Sequence, residues 1–466
     1  MGKRGITRRF FILSSAAGLA GCTTLGSRRA RYVSPNEKVN VAGIGVGGMG
    51  AGDINGTHKT GQANIVALCD VDERRAAQTF SRFPEARVFK DYRRMLEEMK
   101  EIDAVVVSTP DHVHAPAALH AMQLGKHVRV QKPLTWSIHE ARTLRHAAHK
   151  YRLVTAMGNQ GHAGGGTRGF CELLWNDCIG DVTEAHVWTD RPIWPQGIAE
   201  PLPAQEVPNE VDWDLWLGPA PVRPFNEGYL PFRWRGWWDF GCGALGDMAC
   251  HIMDPANWAL QLGSPTSVEV VKMEGYTAQC APTGCIVKYE FPARKFQEDI
   301  KGLPWSGRKL PPLTLYWYEG SCSENDLPHP QGVPEDEVLG DIDNGKNGSY
   351  FVGTKGVAST GPYGGDTRLL PAALMDDFTM PDEVIPRIEG SNYDEWIGAI
   401  KGGPAPGSNF DYAGPFTEVV LLGNLAMHSG VGVPLSWDAK NMRVPGHPEL
   451  DPWIRRTYRP GFEVAL

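Results

Sequence analysis

From Val39 onward the apolar positions come in short, β-branched runs: Val39 to Ile44, Ile65 to Cys69, Ala104 to Val107, Val128 to Val130 and Leu153 to Met157. Longer stretches with helical apolar spacing separate them. Runs that are apolar at successive positions suit strands buried on both faces, so the alternation predicts a parallel sheet covered by helices on two sides. Helices are predicted over Asp91 to Lys100 and over Ser137 to Tyr151. The second opens with Ser137 and has Glu140 three residues on, a capping box.

After residue 158 the pattern changes. Val182 to Thr189, Ser267 to Met273, Cys285 to Phe291 and Leu313 to Tyr318 are longer and more widely spaced, as in an antiparallel sheet of an α+β domain. Loops rich in Pro, Trp and Gly fill 191–241 and 292–345, lengths that are usually functional, and 392–429 is predicted to be partly helical. The division that follows is a leader and linker over 1–36, a first domain over 37–157 and a second over 158–466.

The 466 residues contain 46 Lys+Arg against 54 Asp+Glu, a net charge of −8. Four of the basic residues (Lys3, Arg4, Arg8 and Arg9) lie in the leader, so the remainder is more acidic still. Binding of nucleic acid through a basic surface is disfavoured. Arg8 and Arg9 stand directly before an apolar run that ends in Leu19, Ala20, Gly21 and Cys22, which resembles a twin-arginine signal joined to a lipobox. The expectation is export to the periplasm, with a lipid anchor at Cys22 if the lipobox is used. No apolar stretch after residue 25 approaches the roughly 20 residues that cross a bilayer. The other eight cysteines are dispersed with no CxxC pair, so neither a metal site nor an obligatory disulfide framework is expected.

Directly after the first run, Gly45, Gly47 and Gly50 have GxGxxG spacing. The first glycine permits a tight turn, the second lets backbone approach a pyrophosphate, and the third lets the following helix pack closely. Asp70 ends the next strand about 20 residues on, where a carboxylate accepts hydrogen bonds from ribose hydroxyls and repels a 2′-phosphate. NAD is therefore favoured over NADP, although Arg74 and Arg75 keep NADP open.

Three further blocks follow in order: STPDHVHAP (Ser108 to Pro116), GKHVRVQKPL (Gly125 to Leu134) and GALGDMACH (Gly243 to His251). With the glycine loop they resemble the Gfo/Idh/MocA oxidoreductase family, over nearly the whole chain after residue 37. The resemblance implies an α/β protein: an N-terminal Rossmann dinucleotide-binding domain and a C-terminal α+β domain with an open, mainly antiparallel sheet. It also implies a nicotinamide cofactor, a sugar or cyclitol substrate, and a homo-oligomer formed through the C-terminal sheet. Thr109, Pro110, Asp111 and His114 would lie against the cofactor. The family's Glu-Lys-Pro stands here as Gln131, Lys132 and Pro133; Gln131 can still hydrogen-bond a ribose, and Lys132 is the first catalytic candidate. Asp247 and His251, four apart on one helix face, are assigned to the substrate pocket, with His251 as base and Asp247 orienting it or binding a neighbouring hydroxyl.

Fifteen Trp against sixteen Phe is an unusual balance, and indole faces suit pyranose rings. Trp194 and Trp237 are candidate platforms, with Arg191, Arg235 and Asp239 as polar partners. Asn159 and His162, just after the last strand of the first domain, are further substrate candidates. Three functions stay open. The first is a sugar or cyclitol oxidoreductase with a retained cofactor. The second is a redox-neutral NAD-dependent glycosidase that oxidises, eliminates and re-reduces. The third is a noncatalytic sugar-binding lipoprotein.

Overall fold

The computed structural model describes residues 33–466 apart from 35, 299, 301, 338, 340–344 and 377. The twin arginines and Cys22 lie outside the described residues. β1 (Val39–Ile44), β2 (Ala63–Cys69), β3 (Arg87–Phe89), β4 (Ala104–Val107), β5 (His127–Val130) and β6 (Thr155–Met157) form a sheet in the order 3-2-1-4-5-6. Every pair in it is parallel. Between strands run the helices Met49–Lys59, Glu73–Arg82, Tyr92–Glu98, Asp111–Gln123 and Ile138–Tyr151. Asp91 and Ser137 cap two of them, the second through the full capping box. The strand order reverses between β1 and β4, which opens a crevice at the carboxyl ends of those strands.

The second sheet has eight strands in the order 15-14-13-7-12-9-8-16. They are β7 (Val182–Thr189), β8 (Ser267–Glu274), β9 (Gly284–Phe291), β12 (Leu313–Gly320), β13 (Asn347–Gly353), β14 (Gly356–Thr360), β15 (Arg368–Leu370) and β16 (Leu435–Ser436). A separate two-stranded ribbon, β10 (Arg294–Lys295) with β11 (Lys309–Leu310), lies apart from it. The sheet is antiparallel except where β12 runs parallel to β7. Its inner face carries the helix Gly243–Ile252, which bears the third sequence block.

Two features depart from a simple split at residue 158. Helix Asn392–Ile400 returns to the first domain, placing Trp396, Ile397 and Ile400 in the core formed by Val39, Val41, Ile54 and Val106. Helix Phe410–Ser429 follows it, with Arg142 clamping Glu418 at 2.6 and 2.7 Å. The 191–241 segment, for its part, has a core of its own around Trp216, Phe225, Tyr229, Trp237 and Phe240. It docks on the first domain through a β-bridge between Asp72 and Val211 and through the Asp212 N–H to Val71 O bond at 2.8 Å.

Glu319, at the end of β12, is fully buried. One carboxylate oxygen accepts a hydrogen bond from Trp317 Nε1 at 2.9 Å and the other has no hydrogen-bond partner. Burial pushes its carboxyl up to about 8, so at neutral pH the native state holds a proton that the unfolded chain, titrating near 4.3, has released. Stability from this group is fully present below about pH 4.3 and declines by about 1.4 kcal/mol per pH unit up to pH 8. Glu319→Gln is expected to abolish that slope. Urea midpoints of variant and wild type should therefore diverge between pH 5 and 7.5, and parallel curves would refute the assignment.

Candidate active site

The glycine loop turns at Gly45, whose φ of +75° suits glycine. At Gly50 a Cβ would collide with the Gly45 carbonyl oxygen, so the helix starts in direct contact with the loop. Asp70 braces this turn: one carboxylate oxygen accepts from Val46 N–H (2.8 Å) and Gly47 N–H (3.1 Å), the other from Asp72 N–H (3.0 Å). Burial raises its pKa, against the pull of those three N–H groups. The crevice runs along Gly45, Gly47, Asp70, Thr109, Pro110, Gln131 and Lys132, and its opposite wall comes from Trp216, Leu230, Phe232, Trp234, Arg235 and Phe462. Glycine backbone, a helix start and an acidic strand end around a cleft of this kind fit a dinucleotide. Gly45, Gly47, Gly50, Asp70, Thr109, Pro110, Gln131 and Lys132 are the residues that would hold it.

At the end of the cleft stands Lys132, with Nζ 2.7 Å from Asp247 Oδ1 and 3.1 Å from the Asp247 carbonyl oxygen. Arg235 Nε donates to the same Oδ1 at 2.9 Å. Burial opposes the charge on Asp247, but Lys132 and Arg235 override it and hold the carboxyl well below the usual range. One turn further, His251 is 5% exposed and its Nδ1 has no hydrogen-bond partner. Burial first, then the Lys132 charge, pushes its pKa down to about 3, so the imidazole is neutral at working pH.

The remaining candidates divide. Trp194 lies behind Arg235, its ring 5.7 Å from the guanidinium and edge-on to Phe232, but it is 4% exposed and presents no open face to the cleft. Arg191 pairs with Asp190. Trp237 does not present a platform: it is fully buried in the core of its own loop, 4.8 Å from Tyr229, because a segment this long needs an interior. Asp239 pairs with Arg223 at 2.5 Å within that same segment. Asn159 and His162 are both 2% exposed and turn inward to Asp254, His162 stacking at 4.0 Å on Trp258. His114 is buried beneath the cleft, its ring nitrogens 2.8 Å from Pro133 O and 2.9 Å from Thr109 O; it braces the lysine loop from behind.

Two further residues stand at the site. Asp111 lines the cleft beside Lys132 and accepts from Cys242 N–H at 3.0 Å. Burial, with Asp247 adding, pushes it up to about 7 against Arg235 and Lys132. It belongs to the STPDHVHAP block, next to Thr109 and Pro110. Tyr363, at a left-handed φ of 61°, stands edge-on to His251 at 5.1 Å, and nothing in its local sequence marks it. Among the described residues no group of three or more His, Cys, Asp or Glu is placed to hold a metal ion.

Comparison with known proteins agrees with this geometry. The Gfo/Idh/MocA model described as "Oxidoreductase family, NAD-binding Rossmann fold" matches residues 39–159, and that of the family's "C-terminal alpha/beta domain" matches 183–289. An inositol 2-dehydrogenase of Rubrobacter xylanophilus is 35% identical over 108 residues, 23% of this chain and 30% of that protein. A glycosyl hydrolase family 109 protein of Bacteroides fragilis is 30% identical over 231 residues, 47% of this chain and 42% of that protein. The chain thus spans less than half the length of these curated relatives. The WlbA dehydrogenase of Bordetella pertussis, solved with NADH and UDP-GlcNAcA, shares the fold at a TM-score of 0.57 and 17% identity, over 86% of this chain and 99% of that one. With the two family models matched in order and the nucleotide cleft built as described, the chain belongs to the Gfo/Idh/MocA family of oxidoreductases and carries its NAD-binding Rossmann fold.

Proposed function

We propose that this chain oxidises or reduces a ring carbon of a sugar, glycoside or cyclitol with a resident nicotinamide dinucleotide. The observation that carries the reading is Lys132, held 2.7 Å from Asp247 at the end of the nucleotide cleft with His251 one helical turn away. Nicotinamide, when bound, accepts or returns the hydride. A substrate hydroxyl placed between Lys132 and His251 gives its proton to the neutral imidazole, and the Lys132 charge offsets the developing alkoxide. Asp247 fixes the lysine, and Arg235 shares that carboxylate while facing the cleft.

NAD is preferred over NADP because Asp70 supplies negative charge at the ribose end and Arg74 is already tied to Asp72 (2.9 Å) and Glu227 (3.0 Å). Slow cofactor exchange is supported by the far wall of the cleft. Trp216 and Phe232 of the 191–241 segment line it together with Phe462, which is held by the Arg93 guanidinium 4.5 Å above its ring. A cofactor enclosed in this way suits a protein exported after folding, as the leader predicts.

The second reading, redox-neutral glycoside hydrolysis, is favoured by the 231-residue match to a family 109 glycosyl hydrolase. One experiment tests both. Protein purified without added cofactor is denatured and the released nucleotide identified, while free sugars, cyclitols and a glycoside panel are assayed in parallel. Released NAD, with reduction by free sugars or cyclitols, is the expected result. Released NAD with net hydrolysis alone moves the assignment to the glycosidase, and absence of any nicotinamide binding refutes both.

A further inference from the structure

We propose that Asp53 is the positioning residue of the cleft floor: its carboxylate sets the Ser108 and Gln131 side chains and, through Gln131, the backbone from which Lys132 projects. The proposal rests on the cleft being a nicotinamide dinucleotide site.

Asp53 lies on the buried face of the helix Met49–Lys59 with Gly50, Ile54 and Thr57, and is 1% exposed. A carboxylate in such a place is strongly unfavourable unless its lone pairs are filled. Three side chains fill them. Ser108 Oγ donates at 2.6 Å, Gln131 Nε2 at 2.9 and 3.1 Å to the two oxygens, and the Tyr393 hydroxyl at 2.8 Å. Ser108 follows β4, Gln131 follows β5, and Tyr393 belongs to the helix that returns from the far end of the chain. One carboxylate therefore joins the glycine-loop helix to both strand ends that floor the cleft. Tyr393 is itself braced, with the Arg129 guanidinium 4.6 Å over its ring.

The chemistry of the acceptor fixes the amide. A carboxylate has no proton to give, so the group of Gln131 that faces it is the NH2, and the amide oxygen is left to accept from Lys132 N–H at 3.2 Å. There is little room for another rotamer, since a Cβ at Gly158 would lie 2.7 Å from Gln131 Cδ and Oε1. Ser108 and Gln131 line the cleft and Asp53 does not, so Asp53 acts through them. The arrangement also explains why residue 131 is an amide: a glutamate there would face Asp53 at about 3 Å, and two carboxylates that close share one proton.

The test compares Asp53→Asn, Gln131→Glu and the double exchange by nucleotide retained on purification, affinity for added NAD and melting temperature. Each single variant is expected to lose about tenfold or more in affinity. For Gln131→Glu the loss should be pH-dependent, least where one carboxyl of the pair is protonated and greatest above that. The double variant, which restores one carboxylate facing one amide, should return to within about threefold of wild type; a purely structural role would instead move affinity and melting temperature together in every variant. Tyr393→Phe removes a single donor to Asp53 from a side chain that does not line the cleft, without changing charge, and keeps the test decisive if the exchange variant fails to fold: a measurable loss of affinity at unchanged melting temperature supports the proposal. NAD binding in Asp53→Asn or Tyr393→Phe indistinguishable from wild type overturns it while leaving the proposed function standing. A wild type that binds no nicotinamide nucleotide overturns both.

Discussion

Lys132→Ala is expected to lower turnover about a thousandfold, the usual cost of losing a group that meets charge developing in a transition state. Nucleotide affinity should change far less, because the glycine loop and Asp70 remain. The reason lies in what Lys132 touches. Its Nζ bridges the side chain and carbonyl of Asp247 at 2.7 and 3.1 Å, and removing it leaves that carboxylate with Arg235 alone. The same ammonium helps hold His251 at about 3, so its loss lets the imidazole pKa rise, and the residual activity should show its acid limb at a higher pH than wild type. His251→Ala, by comparison, should cost about 10²- to 10⁴-fold, the range for a general base, and should leave no such limb. Stopped-flow absorbance of the reduced nicotinamide across pH separates the two variants. A Lys132→Ala enzyme within threefold of wild type would remove the lysine from the mechanism.

What was legible in the chain was local or carried by spacing. Ser137 and Glu140 marked a helix start because a capping box is four residues long. Gly45, Gly47 and Gly50 marked the nucleotide turn because Gly45 has a left-handed φ and a Cβ at Gly47 or Gly50 would run into Arg75 or the Gly45 carbonyl. Asp247 and His251 share a helix face by spacing alone, and the structure does bring Asp247 to Lys132 across 115 positions. The partition of elements between a parallel and a mainly antiparallel sheet also followed from the change of pattern after residue 158.

What was not legible depends on partners distant in sequence. Asp53 reads as an ordinary polar residue in a short helix; the available signal was its position i+3 from Gly50, on the stripe shared with Ile54 and Thr57, where a charge requires a reason. Its partner Tyr393 is 340 positions away. Trp237 and Trp194 read as candidate platforms, yet both are buried, the first in the core of its loop and the second behind Arg235; burial within an irregular segment has no period to reveal it. β13 to β15 escaped notice because their buried face mixes Ser349, Ser359 and Thr360 with apolar residues, which erases the alternation that marks a strand.

Gly50→Ala is expected to empty the nucleotide site and to destabilise the fold by about 3 kcal/mol, near the upper end for overpacking. The added methyl meets the Gly45 carbonyl oxygen and approaches Ser108 Cβ at 3.1 Å. Neither can withdraw easily, because Gly45 N–H is bound to Cys69 O at 2.8 Å and Ser108 N–H to Ile44 O at 2.8 Å. The strain therefore spreads into the turn that Asp70 braces and into Ser108, one of the donors to Asp53. Gly52→Ala is the matched control: it lies on the same helix, and a Cβ there meets nothing within 4 Å, so it should melt at or slightly above wild type through its better helix propensity. Calorimetry with and without added NAD reads both quantities. If Gly50→Ala keeps the ligand-induced rise in melting temperature, close packing of helix against loop is not what shapes the site, and the nucleotide is held chiefly by the strand ends and the far wall.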